Sequence, residues 1–177
     1  MRLPLPFWRR TRRRALAAAA AVVMPGVIAL ASSAVAPVDG WSWPLLPAPP
    51  PVAAVFVAPA GPYAPGHRGV DLRAGPGSLV LAAGTGTVAF AGRVAGRGVV
   101  SIDHPGGLRT TYEPVFALVS EGDPVSRGSP VGRLEVVGSH CLPDLCLHWG
   151  ARRGKTYLDP LGLLGVLVRV RLLPMWP

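Results

Sequence analysis

The sequence of 177 residues lacks the glycine motifs that bind nucleotide phosphates, although it contains 22 Gly. It has no GxGxxG pattern opening a helix, and its Gly154-Lys155-Thr156 triplet is not part of a complete GxxxxGK[ST] motif, because residue 149 is Trp. We therefore interpret its glycines as turn residues and do not expect nucleotide binding. A sustained helical period is also missing, which leaves short strands as the main elements.

Acidic residues are missing from residues 1–36, where six of the 18 Lys and Arg lie. All nine Asp and Glu lie after residue 36, together with the 12 remaining basic residues. That part of the chain therefore carries about +3 rather than +9, and the total charge does not imply a nucleic-acid partner. A mildly basic protein is compatible with an anionic cell-wall surface.

The first 36 residues have the pattern of a secretory signal peptide. Residues 1–14 are basic, residues 15–31 are apolar apart from Pro25-Gly26, and residues 34–36 read Ala-Val-Ala, a signal-peptidase pattern. We predict cleavage after Ala36 and an extracytoplasmic, cell-wall-associated protein. The alternative is an uncleaved segment, which would be the only membrane attachment; the Arg-rich start does not distinguish Sec from Tat export.

Residues 37–61 are rich in proline, which prevents helices and central strands. We predict an extended, semi-stiff linker here, followed by a single domain over residues 62–177. Trp41 and Trp43 lie in this linker at alternate positions, and we expect them to pack against the domain. Residues 52–57 could form a first strand.

The domain is predicted to be all-β, with a compact antiparallel arrangement. Short apolar runs are separated by Gly-rich turns, as strands joined by hairpins are. The predicted strands are residues 79–83, 86–91, 98–103, 108–114, 130–136 and 146–151. Residues 161–173 are either a closing strand or a short helix that ends in a strand.

His67 and Asp71 are the first candidates for a metal site. In an extended segment their side chains share one face with Gly69, so a single strand could supply both ligands. His148, from a distant strand, would complete two imidazoles and one carboxylate, with a fourth position for water, as in catalytic zinc sites. The alternative is a chance H-x-x-x-D match and a hydrogen-bonded core histidine.

Taken together, several segments resemble the lysostaphin/LytM-type zinc metallopeptidases, which cut peptide cross-links in bacterial peptidoglycan. The resemblance implies that family's β domain, peptidoglycan as partner and substrate, and Zn²⁺ bound by His67, Asp71 and His148. It says nothing of the oligomeric state. The matching segments are residues 66–72 (GHRGVDL), 80–88 (VLAAGTGTV), 98–104 (GVVSIDH), 121–128 (EGDPVSRG), 147–150 (LHWG) and 158–161 (LDPL).

The chain departs from this family at both positions where active members carry further catalytic histidines. Cys146 replaces the first His of H-x-H, and Pro114 stands two residues after the central Tyr. Loss of a general acid or base typically lowers the rate by about 10²- to 10⁴-fold. We predict His140 as the catalytic substitute, with Glu113 and Tyr112 as other candidates; His104 we interpret as a hairpin residue.

Cys141 and Cys146 are the only cysteines. In an oxidising compartment we expect them to form a disulfide that holds the loop carrying His140. The alternative is that the Cys146 thiolate fills the fourth zinc position, which would make the site structural. Two functions thus follow: an exported zinc endopeptidase acting on peptidoglycan, or a catalytically degenerate domain that binds the wall or regulates another wall hydrolase.

Overall fold

The computed structural model of the protein describes residues 40–61 and 63–165. They belong to the compact unit Val35–Pro177. The predicted signal peptide, residues 1–36, lies outside the described residues, as do residues 166–173 of the predicted closing element. Within the described ranges, no helix has the length and apolarity needed to cross a bilayer.

The domain is all-β, as predicted, and the described residues contain no α-helix. Short 3-10 helices occur at Pro105–Gly107 and Pro160–Leu164. The strands are β1 (Val52–Ala54), β2 (Gly69–Arg73), β3 (Leu79–Leu81), β4 (Gly86–Val94), β5 (Arg97–His104), β6 (Leu108–Glu113), β7 (Val115–Ala117), β8 (Pro124–Val125), β9 (Pro130–Leu134), β10 (Cys146–Arg153) and β11 (Thr156–Leu158).

The strands form two antiparallel sheets. The larger has eight strands in the order β1-β2-β10-β6-β5-β4-β8, with β11 added to β10, and the smaller has the order β3-β9-β7. Strand β10 lies between β2 and β6, so residues from three distant parts of the sequence meet across it. This central position of β10 is what assembles the candidate site.

One apolar core is shared by the two sheets. Side chains alternate along a strand, so one face of β2, β10 and β6 supplies large buried residues to this core, among them Leu72, Trp149 and Tyr112. The smaller sheet contributes Val80 and Val131 to the same cluster. The other face of the central strands therefore holds the polar side chains, including Asp71 and His148.

All six strands predicted in the domain are present, with ends shifted by a few residues. Short strands β7, β8 and β11 were not predicted. The first strand is shorter than expected, because only Val52–Ala54 pair with β2. The end of the domain is a 3-10 helix as far as it is described, in agreement with the helical alternative.

Part of the predicted linker packs against the domain. Leu45 is fully buried in the core, and Trp41 and Trp43 pack against the same cluster, as expected for the tryptophans. Backbone hydrogen bonds from Ser42 to Ala83 and from Leu81 to Pro44 fasten this segment. Packed structure therefore begins before residue 62, because the few apolar residues among the prolines fit the edge of the core.

Candidate metal centre

His67, Asp71 and His148, the three predicted metal ligands, lie together on one face of the larger sheet. Asp71 on β2 pairs directly with His148 on β10. His67 Nε2 lies 3.2 Å from Asp71 Oδ1 and 3.1 Å from His148 Nδ1, and His148 Nδ1 lies 2.9 Å from Asp71 Oδ1. The three ligating atoms thus form a nearly equilateral triangle.

The two histidines reach this triangle by different routes. His148 and Asp71 are directly opposite residues of paired strands. His67 precedes β2 and pairs with Val57 in an isolated bridge, so the expectation that one strand carries both His67 and Asp71 is wrong. The bridge holds the segment beside the strand, and the predicted convergence of the side chains is preserved.

Gly69 makes room for His148. A Cβ at position 69 would lie 2.7 Å from His148 Nε2 and 2.5 Å from the carbonyl oxygen of Trp149. A side chain there would displace the imidazole or the neighbouring strand. Glycine at position 69, between His67 and Asp71, is therefore required by the position of His148.

The orientation of the His67 ring is set from outside the triangle. Its Nδ1 lies 2.7 Å from the carbonyl oxygen of Val55. A carbonyl only accepts, so Nδ1 carries the hydrogen and Nε2 is the atom with a free lone pair. Such a hydrogen bond is the usual way in which a ligating histidine is oriented.

Asp71 is buried, yet it remains ionised. Burial raises the pKa of its carboxyl group, but hydrogen bonds from His148 and His140, together with the nearby imidazoles, outweigh it and lower the pKa from 3.8 to about 2. A carboxylate is therefore present at neutral pH to share a cation with the histidines.

The three side chains fit a zinc ion. Around tetrahedral zinc with bonds of about 2.0–2.1 Å, neighbouring ligand atoms lie about 3.3 Å apart. The separations of 2.9–3.2 Å between these atoms are close to this value. Two imidazoles and a carboxylate also form one of the usual ligand sets of catalytic zinc. The ligating atoms of His67, Asp71, His140 and His148 all lie within 4.8 Å of one another.

His140, the predicted catalytic substitute, lies against this triangle. Its Nε2 is 2.8 Å from Asp71 Oδ2, the carboxylate oxygen that does not face the other two histidines. The side chain is 53% exposed, whereas that of Asp71 is 4% exposed. His140 thus covers the site on its solvent side.

A disulfide between Cys141 and Cys146 closes the loop next to His140, which confirms the predicted pairing. Cys146 is buried on β10, on the same face as His148. An ion pair between Arg73 on β2 and Asp144 fastens the loop a second time. With both sulfurs in the disulfide, Cys146 has no thiolate to offer a metal.

The other candidate substitutes occupy different places. Tyr112 faces the core and is fully buried; burial raises its pKa to about 12, and its hydroxyl accepts from the Ala83 amide. It has no access to the site. Glu113 lies directly opposite His148 on β6, where its carboxylate is 3.2 Å from Arg97 Nε. Glu113 is near the metal triangle but is engaged by this arginine.

His104 closes the β5–β6 hairpin, as predicted, where it pairs with Leu108, and it is also buried. It ends β5, is 6% exposed, and packs edge-on against Trp41. Its Nδ1 lies 2.9 Å from the carbonyl oxygen of Thr85 and its Nε2 lies 2.7 Å from Thr110 Oγ1. Alternation along β5 with the buried Val100 and Ile102 was a usable sequence signal that the imidazole points inward.

A cleft of about 200 Å³ opens beside His148 on the same face of the sheet. Thr111 and Gly150 line it, and Arg68, Arg152 and Tyr157 lie around it. These five residues were not predicted from the sequence. The spacing of two between His148, Gly150 and Arg152 was a usable signal, because it places all three on one face of β10.

A family model described as Peptidase family M23 matches residues 65–160 of the chain. The matched segment includes all three predicted ligands, His140 and both cysteines. It also contains β2 to β11, and therefore most of the described domain.

An uncharacterized protein of Mycobacterium tuberculosis is 54% identical over 126 residues, which are 69% of this chain and 50% of the relative. A Mycobacterium bovis protein matches with the same figures. The matched part is therefore about half the length of these curated relatives.

Solved structures of peptidases share the fold. A zinc-containing peptidase from Vibrio cholerae has a TM-score of 0.57 and 21% identity, covering 68% of this chain and 39% of its own. The solution structure of lysostaphin has a TM-score of 0.55 and 23% identity, covering 66% of this chain and 50% of its own. These matches, with the family model, confirm the resemblance inferred from the sequence segments.

Proposed function

Because the chain belongs to peptidase family M23, we propose that it is an exported zinc endopeptidase that hydrolyses peptide bonds of bacterial peptidoglycan. The observation that carries this proposal is the cluster of four side chains, His67, Asp71, His140 and His148, whose ligating atoms lie within 4.8 Å of one another. Export is supported by the signal-peptide pattern of residues 1–36 and by the disulfide, which an oxidising compartment favours.

His67 Nε2, Asp71 Oδ1 and His148 Nδ1 would hold the zinc ion. Bound zinc supplies Lewis acidity, which polarises a peptide carbonyl and acidifies water. The Val55 carbonyl keeps the His67 ring in the ligating tautomer, and the absence of a side chain at Gly69 keeps His148 in reach. The two histidines thus have supports that do not depend on the ion.

His140 would hold and transfer the proton that the reaction needs. Its Nε2 donates to Asp71 Oδ2, because the ionised carboxylate can only accept. In the neutral ring, Nδ1 then has a lone pair and can accept a proton from the attacking water. Returning that proton to the leaving amine completes general acid–base catalysis.

The test is turnover of isolated peptidoglycan by the exported protein, with and without a chelator. We expect slow cleavage that needs zinc and is lost in His148→Ala. Slowness follows from Cys146 and Pro114, which stand where the family carries catalytic histidines. If no zinc-dependent cleavage occurs between about pH 6 and 9, where zinc-activated water ionises, the peptidase proposal is wrong.

A second function is favoured by one observation. Cys146 is buried in a disulfide at a position where active family members carry a histidine. The domain would then be catalytically degenerate and would bind the wall or regulate another wall hydrolase. Wall pull-down that is retained in His148→Ala, in the absence of any cleavage, would support this alternative.

A further inference from the structure

The cleft beside His148 has a positively charged end. Arg152 lies four residues after His148 on β10 and on the same face. At about 3.4 Å per residue, their Cα atoms are about 13 Å apart, which is the length of about four extended residues. A peptide whose scissile bond lies at the metal ligands would therefore pass Arg152 within that distance.

Arg68 lies at the same cleft, next in sequence to the metal ligand His67. Its guanidinium lies 5.4 Å from the centre of the Tyr157 ring, and its Nη2 donates to the carbonyl oxygen of Ala64 at 3.2 Å. Arg152 Nη1 donates to the carbonyl oxygen of Gly154 at 2.6 Å. The Arg152 guanidinium is thus held in place by a neutral partner, which leaves its positive charge in the cleft.

The acidic residues nearby are engaged by other arginines. Glu113, which also lines the cleft, accepts from Arg97 Nε at 3.2 Å. Asp103 accepts two hydrogen bonds from Arg109, each of 2.6 Å. Two arginines and one glutamate line the cleft, so its lining has an excess of positive charge, and Arg152 is the cation that an anion would meet at this end.

We propose that this end of the cleft is a subsite for a carboxylate of the substrate, so that the preferred peptide carries a free carboxylate within about four residues of the scissile bond. This inference rests on the proposed peptidase function. Arg is suited to the role because its planar donors match a carboxylate in pairs. Thr111 and Gly150 leave the space between the ligands and the arginines open to a peptide backbone.

The test compares the binding of N-acetyl-trialanine with that of its C-terminal amide, followed by backbone amide NMR shifts of the zinc-loaded protein. We expect the free acid to bind about tenfold more tightly, as a charge-assisted hydrogen bond allows. Arg152→Gln should remove this preference. Arg153→Gln is the matched control, because it removes the same charge from the next, exposed residue on the opposite face of β10; there the preference should remain.

A carboxylate could also bind the zinc ion itself. The His148→Ala variant and the chelator-treated wild type distinguish a preference that comes from the arginine from one that comes from the metal. A preference that survives in either supports the arginine subsite. Equal or undetectable binding of the two peptides, a preference lost only with the metal, or an equal loss in Arg153→Gln would overturn the proposal. Because the readout is binding, a failure of peptidoglycan cleavage would count against the peptidase function and not against the subsite.

Discussion

The Nε2 atom of His140 lies 2.8 Å from Asp71 Oδ2, while Oδ1 of the same carboxylate faces His67 and His148. One buried carboxylate therefore joins the other two predicted metal ligands to a loop histidine 69 residues away in sequence. The family's catalytic histidine position on β10 is Cys146 in this chain, and Cys146 is part of the disulfide. The loop nevertheless places another imidazole, that of His140, beside the centre.

The first prediction concerns the metal. The purified protein should bind about one zinc per chain, and His67→Ala or Asp71→Ala should remove most of it, since each change leaves two of the three predicted ligands. Elemental analysis of the purified protein measures this. Asp123→Ala is the control, because Asp123 accepts a hydrogen bond from the Ser120 amide in an exposed turn. A folded wild type without zinc under zinc-replete conditions would contradict the prediction.

The second prediction concerns His140. His140→Ala should lower the rate of peptidoglycan cleavage by at least about tenfold, a threshold below the range of about 10²- to 10⁴-fold for removing a general acid or base. Zinc content should be almost unchanged, because the triangle of His67, Asp71 and His148 is intact. Leu142→Ala, an exposed change in the same loop, is the control. An unchanged rate would remove His140 from the mechanism without affecting the zinc ligands.

The third prediction concerns the disulfide. Replacing both Cys141 and Cys146 by Ser should lower the rate about as far as His140→Ala, because the freed loop no longer holds the imidazole beside Asp71. The loss should not add to that of His140→Ala, since both changes remove the same interaction. Single-turnover kinetics of His140→Ala, of the double Cys→Ser variant and of the two combined measure this coupling. Fully additive losses would show that the disulfide acts elsewhere, and free thiols in the exported wild type would contradict the pairing itself.

The fourth prediction concerns stability in acid. Burial lowers the pKa of His104 below 6.5, while the same group in the unfolded chain keeps its ordinary value. The unfolded state therefore binds the proton more readily. The free energy of unfolding should fall as the pH drops below 6.5, by at most about 1.4 kcal/mol per pH unit for one proton.

Urea unfolding of the zinc-free protein at several pH values measures this slope. His104→Gln should flatten it, although the variant will be less stable at neutral pH because the hydrogen bonds to Thr85 and Thr110 are disturbed. Asp71 contributes to the pH dependence of stability in a separate, lower range of pH. Its depressed pKa stabilises the fold above 3.8, and this contribution is lost as the pH falls towards about 2. An identical slope in the variant between pH 5 and 6.5 would show that His104 does not titrate on unfolding.

Much of the fold was predictable because its strands are short apolar runs separated by Gly turns. The strands from β4 to β6 and β10 were found with their order along the chain. Strands β7, β8 and β11 have three residues or fewer, too short to show an alternating pattern. The packing of Leu45 was hidden by the prolines around it, since a single apolar residue has no periodicity.

His67 and Asp71 could be singled out as candidate ligands because a spacing of four places both side chains on one face of an extended backbone. The roles of Glu113 and Tyr112 could not be separated in the sequence, where they are neighbours. Alternation along β6 sends one to the cleft and the other into the core, and which is which depends on the register with β10. Arg68 and Arg152 likewise become neighbours only through strand pairing.

The two carboxylate oxygens of Asp71 have different partners: Oδ1 faces His67 and His148, and Oδ2 faces His140. An ion that binds Oδ1 changes the charge on Oδ2, and it therefore changes the strength of the hydrogen bond that holds His140 and its loop. By thermodynamic reciprocity, a loop that holds the carboxylate in place also alters the affinity for the ion. Amide hydrogen exchange in residues 137–146 should therefore report whether the centre is filled. The exposed loop would thus show, by its hydrogen exchange, whether a metal ion is bound at the buried carboxylate.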